Sequence, residues 1–564
     1  MSQYIRITGC AWILFGSAVV AFAAACSDDS TDRGAPDVAH TTSGPVAATD
    51  SLGMRNYFAI PYAAPPTGEL RWAPPAPAAS WTAALANMQS AAPCLQTSAS
   101  PFRLQNGQED CLYLDVHAPT TEGPFPVMVW IHGGAFNTGG AVTYADASPL
   151  VARGVIVVTI AYRMGPMGFL GHPALRAADG SVGNYGIMDQ QAALHWVQDN
   201  IAAFGGDRNN VTIFGESAGG FSVMTHLASP LSKGLFHKAI VESGGYAFDR
   251  QLSQTALETL STAVVTNALA AAGVSCATVD AACLRGLSTA VVSTQLATAF
   301  NMAAASPVPS IDGKVLTRSI KATFAAGENA RVPMLNGSNE DEYSLFLAIG
   351  EMGRRAAAMP ANFDPTNTSF ALQATAYPGT LGTLAAGTGM TGATLADTGY
   401  YPLANYGSNP ALQPSLGATA VGTDVIFSCP ALNLSRRAAA QGTPIWMYEF
   451  RDQTAIPSVG LDTSAKYYLS FPQGAAHSYE LQYLYNLRDL QSDEHRALRD
   501  AMTSYWAAFA RTGDPNGAGA PAWPAFTGAD KVLGLDVVSG GGIKVTDSFD
   551  ATHKCSSVWT MLTF

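Results

Sequence analysis

The chain has 564 residues, of which 48% are hydrophobic and 13% charged, and a formal net charge of −12. That length holds one large α/β domain or two to four smaller ones. The charged share is about half the usual one, which leaves material for a sizeable core. A negative chain without a Lys/Arg-rich run is a poor partner for nucleic acid or for anionic membrane surfaces.

The first segment is a targeting signal. Arg6 precedes an apolar run over residues 7–25 that closes in Phe22-Ala23-Ala24-Ala25-Cys26. A short apolar stretch ending in small residues marks a secretory signal rather than a retained membrane helix. The A-x-A ending fits ordinary signal peptidase. Ala-Ala-Ala-Cys also resembles a lipobox, with Ala23 where that motif prefers Leu, and the resemblance implies lipidation of Cys26. Residues 27–43, SDDSTDRGAPDVAHTTS, are polar and without period, which reads as a disordered tether. The expected organisation is a signal peptide over 1–25, a tether over 26–43 and one folded domain over 44–564.

Residues 57–63 read as a strand running into the turn Pro65-Pro66-Thr67-Gly68, and residues 110–116 alternate as a half-buried strand does. Residues 127–131 (VMVWI) and 155–160 (VIVVTI) are continuous apolar runs, as expected of strands covered on both faces. The first of these ends in His132-Gly133-Gly134-Ala135-Phe136. Two glycines let the backbone turn its N–H groups toward a bound oxygen. Residues 190–203 carry Leu194, Val197 and Ile201 at helical spacing.

The strand Val211-Thr212-Ile213-Phe214 then meets Gly215-Glu216-Ser217-Ala218-Gly219, a G-x-S-x-G pentapeptide followed by a small-residue, apolar segment. Strand, sharp turn and helix are the setting in which this motif forms a nucleophile elbow. The turn strains the serine and exposes its hydroxyl. The N–H of Ala218 then stands at a helix N-terminus, where a developing oxyanion is stabilised. Strands alternating with helices predict an α/β fold, a mostly parallel central sheet with helices on both faces.

Here the sequence resembles the carboxylesterase type B family, which includes acetylcholinesterase and the liver carboxylesterases. Glu109-Asp110-Cys111-Leu112-Tyr113-Leu114 resembles its E-D-C-L-Y-L signature, and Phe204-Gly205-Gly206-Asp207 through the elbow its F-G-G-D…F-G-E-S-A-G-G signature. Tyr162-Arg163, Gly168-Phe169-Leu170, Asn184-Tyr185-Gly186 and the segment from Tyr505-Trp506 to Asn516 match as well. The resemblance spans roughly residues 44–564. It implies an α/β-hydrolase fold and a serine carboxylesterase that splits carboxylic esters into acid and alcohol through an acyl-enzyme on Ser217. It also implies oxyanion donors at Gly134, Ala135 and Ala218, and a supporting pair in Glu216 and Ser243. Arg71 with Glu109 and Arg163 with Asp189 correspond to the family's structural ion pairs.

In this fold the order is Ser, then an acid, then His. The apolar strand ending near Gly337 is followed by Glu340, Asp341 and Glu342, and spacing alone does not choose among them. The family pattern N-x-D-E selects Glu342 and leaves Glu340 and Asp341 as solvated loop charges. Three histidines follow. His495 sits on a charged helix face, His553 two residues before Cys555, and His477 in a small-residue loop entering an apolar helix. His477 matches the family's G-x-x-H-x-x-E-L pattern, so elimination and resemblance agree on it.

Six cysteines follow Cys26, an even count that suits disulfides in an exported protein. Proximity in sequence pairs Cys94 with Cys111 and Cys276 with Cys283. Cys429 with Cys555 joins the remaining two and fits the family pattern. Neither C-x-x-C nor H-E-x-x-H occurs, so no metal or cofactor is expected.

The expected partner is a small-molecule ester, with a lipid anchor at Cys26, and no segment specifies an oligomeric state. The nearest alternative is a lipase, polymer esterase or amidase with the same triad. A remoter one is a non-catalytic binding module like the neuroligins, which resemble this fold but lack the serine. Residues 374–424, rich in Thr, Gly and Ala, carry no readable motif. Residues 95–110 contain Phe102 and Arg103 but no Trp or Tyr. Cholinesterases hold a quaternary ammonium against a tryptophan in the corresponding, longer loop, so the resemblance with this departure implies a preference for neutral or acidic esters of short to medium acyl length over choline esters.

Overall fold

The computed structural model describes residues 37–562 apart from 98–103, 105–106, 247–250, 303–306, 358–366, 398, 458–468, 491, 518 and 529. The expected signal peptide, Cys26, Phe102 and Arg103 lie outside the described residues.

Strands β1 (Val38–His40) and β2 (Pro45–Ala47) form a small antiparallel pair. The main sheet holds β3 (Thr49–Ser51), β4 (Met54–Pro61), β5 (Tyr113–Ala118), β6 (Phe125–Ile131), β7 (Ile156–Ile160), β8 (Gly206–Glu216), β9 (Lys238–Glu242), β10 (Met334–Asn339), β11 (Ile445–Phe450), β12 (Val532–Leu535) and β13 (Lys544–Thr546). Their order is β13-β12-β11-β10-β9-β8-β6-β7-β5-β4-β3. The run from β12 to β7 is parallel, and both edges are antiparallel.

Every residue of β6, β7, β9, β10 and β11 is buried, which is why β6 and β7 read as unbroken apolar runs. The period of two still sorts their side chains. Val127, Val129 and Ile131 enter one core, and Met128 and Trp130 enter the other. Helices Tyr185–Asn200 and Ala218–Ala228 cover the first face. Helix Asp493–Thr512 covers the second with Leu498, Met502, Tyr505, Trp506 and Phe509, a stripe at helical spacing. Ser492 caps its start and Gly513, with φ of 80°, ends it.

One expectation changes. Strand β1 lies inside the expected tether, because its three residues are held by pairing with β2 rather than by a period of their own. The unreadable stretch 374–424 contains helices Tyr377–Leu384, Gly392–Asp397 and Gln413–Gly422. Gly and Thr are poor helix formers, so packing sets these helices. Gly417 lets the Tyr377 hydroxyl approach closely, and that hydroxyl donates to Tyr401 O. The last helix continues to Ala440 as one 28-residue helix whose most apolar stretch is mostly buried.

The disulfides Cys94–Cys111, Cys276–Cys283 and Cys429–Cys555 form as paired above. Three disulfides suit an exported protein. Arg163 grips Asp189 through two 2.8 Å contacts in a fully buried pair, and Arg71 Nε reaches Glu109 at 2.8 Å.

Candidate active site

Strand β8 ends at Glu216 and the next helix starts at Ala218, so Ser217 alone makes the turn. Its φ of 56° and ψ of −122° fall outside the ordinary regions for a residue with a Cβ. Such strain persists only where the surroundings impose it. The Ser217 N–H donates to Glu242 O at 2.9 Å, and its carbonyl accepts from Phe221 N–H at 2.8 Å. A Cβ on Gly219 would come within 1.9 Å of Ile131 O, and one on Gly215 within 2.5 Å of the same atom. Only glycine permits this crossing of strand and helix.

The loop after β6 passes beside the serine. A Cβ on Gly133 would stand 3.1 Å from Ser217 Cβ. Gly134, Ala135 and Phe136 have φ of 105°, 54° and 56°. Successive residues turned this way form a concave nest of N–H groups. His132 stacks on Tyr162 at 4.4 Å, and the Tyr162 hydroxyl donates to His132 O at 2.7 Å, which braces the loop. Among the described residues, the N–H groups of Gly134, Ala135 and Ala218 have no protein acceptor.

Glu342 is wholly buried just beyond β10. Its Oε2 meets His477 Nδ1 at 2.5 Å, and its Oε1 accepts from Ser243 Oγ at 2.5 Å and Asn339 N–H at 2.8 Å. Asn339 also donates its side-chain amide to Ala476 O at 2.7 Å, which ties the acid loop to the histidine loop. The choice of Glu342 over its two neighbours is thus a matter of contact. Glu340 and Asp341 are not solvated charges but half-buried ones that share the amide of Gln453. Burial and the neighbouring Glu449 and Asp341 push Glu340 up to about 7. His495 is half-buried as well, with its ring held by Thr454 and Ser492.

His477 Nε2 lies 3.0 Å from Glu216 Oε1. That oxygen has no hydrogen-bond partner, so the two atoms touch off the hydrogen-bond direction. The Ser217 hydroxyl neighbours the Tyr246 phenol, whose pKa is raised by burial against an opposing hydrogen bond from Ser217. Catalytic hydrogen bonds in unliganded sites are commonly long or misaligned and tighten with substrate. Glu216 and Ser243 do not form a pair. Ser243 holds Glu342, and Glu216 meets the far side of His477.

Three glutamates crowd beneath the site. Burial first, then the neighbouring Glu342 and Glu242, raises Glu216 well above its ordinary value. Burial and the same neighbourhood of acids raise Glu480, and burial takes Glu242 up to about 8 despite the Trp506 N–H it accepts. Desolvation disfavours the charged form of each.

The walls are aromatic. Phe346 and Phe427 stand 5.1 and 5.0 Å from the His477 ring, and Tyr246 lies 5.3 Å from Phe221 and 5.8 Å from Phe427. Sequence reading missed Tyr246, Phe346 and Phe427, which come from three distant segments. It also gave Glu480 no role, although that residue stands in the quoted histidine motif. Among the described residues no His/Cys/Asp/Glu group has the arrangement to hold a metal ion.

Residues 39–540 match the profile of the carboxylesterase family. The chain belongs to the carboxylesterase family. It is 31% identical to fumonisin B1 esterase of Sphingopyxis macrogoltabida, over 95% of this chain and 93% of that one. It is 32% identical to liver carboxylesterase 1 of Oryctolagus cuniculus, over 90% and 88%. Its fold is similar to that of a thermophilic PNB esterase, with a TM-score of 0.72, 29% identity and coverage of 93% and 99%. This carboxylesterase therefore has the α/β-hydrolase fold and is a carboxylic ester hydrolase.

Proposed function

We propose that Ser217, His477 and Glu342 act as nucleophile, base and orienting acid in the hydrolysis of small-molecule carboxylic esters. The observation that carries this reading is the 2.5 Å contact of Glu342 with His477 beside the strained Ser217 turn. His477 Nε2 takes the Ser217 proton as Oγ attacks the ester carbonyl. The N–H groups of Gly134, Ala135 and Ala218 receive the oxyanion. His477 then protonates the leaving alcohol, and water, activated by the same imidazole, frees the acid from Ser217. Glu342 fixes the imidazole and stabilises its cationic form.

Tyr246, Phe346 and Phe427 offer ring faces at this centre, which supports uncharged, apolar acyl or alcohol groups as substrate. A panel of p-nitrophenyl esters of increasing acyl length with one matched amide tests the class. Ester turnover with negligible amide turnover is expected, and faster amide cleavage would replace the esterase reading with an amidase one. Export through the signal over residues 1–25 agrees with the three disulfides. Lipidation of Cys26 as an anchor rests on the Ala-Ala-Ala-Cys sequence. Cys26→Ser should release a soluble exported form, and unchanged membrane association would refute the anchor.

A further inference from the structure

His553 has no part in that chemistry, yet it is the most tightly paired histidine described. Its Nδ1 lies 2.5 Å from Asp424 Oδ1 and its Nε2 2.6 Å from Glu449 Oε1, with the ring buried. Two carboxylates on two ring nitrogens require both nitrogens to carry protons. Burial alone would push its pKa down, while Asp424 and Glu449 together push it up to about 10. The ring is an imidazolium at neutral pH.

Charged groups face it from every neighbouring element. Asp424 also accepts from the Tyr401 hydroxyl at 2.6 Å, and Tyr401 is held in turn by Trp559 Nε1 at 2.7 Å. The second oxygen of Glu449 is taken by Arg451. Asp341 and Glu340 stand close enough to feel this cluster. Lys554 lies 4.6 Å over the Tyr401 ring.

The cluster joins three elements that all lead to His477. Asp424 lies in a π-helical turn, Thr423–Ser428, and three residues later Phe427 sets its ring 5.0 Å from His477. Such a widened turn inside a helix re-aims side chains and concentrates at functional sites. Glu449 pairs in register with Ser338, beside Asn339, whose N–H binds Glu342. The Cys429–Cys555 disulfide ties the turn to the segment that carries His553. The disulfide limits the distance between the segments, and the imidazolium sets the orientation of the turn.

We propose that His553 is a positioning residue, whose doubly paired imidazolium holds the Asp424–Phe427 turn so that Phe427 fixes the plane of the catalytic His477. The inference rests on the esterase reading of Ser217 and His477. Removing the cation leaves two buried carboxylates facing each other, a costly arrangement.

The test is His553→Gln combined with Phe427→Leu in a double-mutant cycle on an uncharged butyrate ester. His553→Gln should lower kcat about tenfold with KM near the wild-type value. The double variant should be no slower than Phe427→Leu alone, because both substitutions remove one effect. Wild-type kcat in His553→Gln, or losses that add, would overturn the proposal. If His553→Gln does not fold, Asp424→Asn takes its place in the same cycle with the same two outcomes. The unsubstituted enzyme gives a further readout, since kcat should fall as pH passes about 10 while circular dichroism still reports the native fold. A flat kcat through that range would also overturn it. Ser217→Ala, assayed alongside, separates the two claims. Retained activity there removes the esterase reading itself, whereas additive losses with Ser217-dependent activity remove only the role of His553.

Discussion

Ser243 Oγ donates to Glu342 Oε1 at 2.5 Å, on the carboxylate oxygen that does not face His477. Ser243 is itself held with a φ of 50° by its N–H bond to Gly337 O. A hydrogen bond to a buried charge contributes roughly 1.5–3 kcal/mol. Ser243→Ala should therefore lower kcat about 10- to 100-fold, with the fold intact by circular dichroism. Wild-type turnover would show that Asn339 and His477 suffice to orient the carboxylate.

Ser217→Ala and His477→Gln should each leave a folded protein with turnover reduced by several powers of ten. The two together should be little worse than either alone, because nucleophile and base act as a unit. Only a neutral His477 ring accepts the Ser217 proton, so the base role belongs to the uncharged imidazole. Steady-state kinetics of the purified variants decide this. Near-normal turnover of Ser217→Ala would sink the assignment.

Glu242 predicts a pH dependence of stability. Its folded-state pKa of about 8 lies above its ordinary 4.5. The folded protein therefore holds this proton more tightly than the unfolded chain. The stabilisation is fully present below about 4.5 and is lost as pH rises through about 8. Glu242→Gln keeps an acceptor for Trp506 Nε1, which now bonds Oε1 at 2.8 Å, and cannot ionise. The variant should match the wild type at pH 5 and exceed it in urea midpoint at pH 9. Equal midpoints at both values would mean that water reaches the carboxyl.

The Cys429–Cys555 bridge closes a loop of 126 residues. In the chain-entropy account such a loop stabilises by about 4–5 kcal/mol. Replacing both cysteines by Ala should lower the unfolding free energy by that order, measured by urea denaturation. Non-reducing peptide mapping should find none of the six cysteines free.

An uncharged butyrate ester should be turned over with higher kcat/KM than butyrylcholine. The site has ring faces at Phe346 and Phe427, and burial disfavours the charged forms of the nearby Glu216 and Glu480. A quaternary ammonium would gain the cation–π attraction of these rings but lose its hydration on entering so apolar a site. The opposite ranking would require a cation site elsewhere in the protein.

The parts of the site that chemistry places on contiguous backbone were legible in the chain itself. G-x-S-x-G and H-G-G-A-F each need glycines at set offsets for close approach and positive φ, and the flanking apolar runs declare the strands that carry them. The pairs Cys94–Cys111 and Cys276–Cys283 were legible for the same local reason, and Cys429–Cys555 only as the remaining two. The three acids in a row were not, because spacing does not tell which one faces a histidine more than a hundred residues away. That choice falls to the end of β10, where Asn339 N–H and Ser243 Oγ grip Glu342 and turn it to His477.

Sequence by itself determined the fold class, the elbow, the glycine loop after β6 and the two short-range disulfide pairs, since each follows from neighbouring residues or from a pattern along the chain. Tertiary structure alone decided which rings wall the site, which glutamates burial shifts upward, and that His553 is a buried cation. These properties depend on distance and on exclusion of water. Both arise only when segments far apart in the chain are packed together.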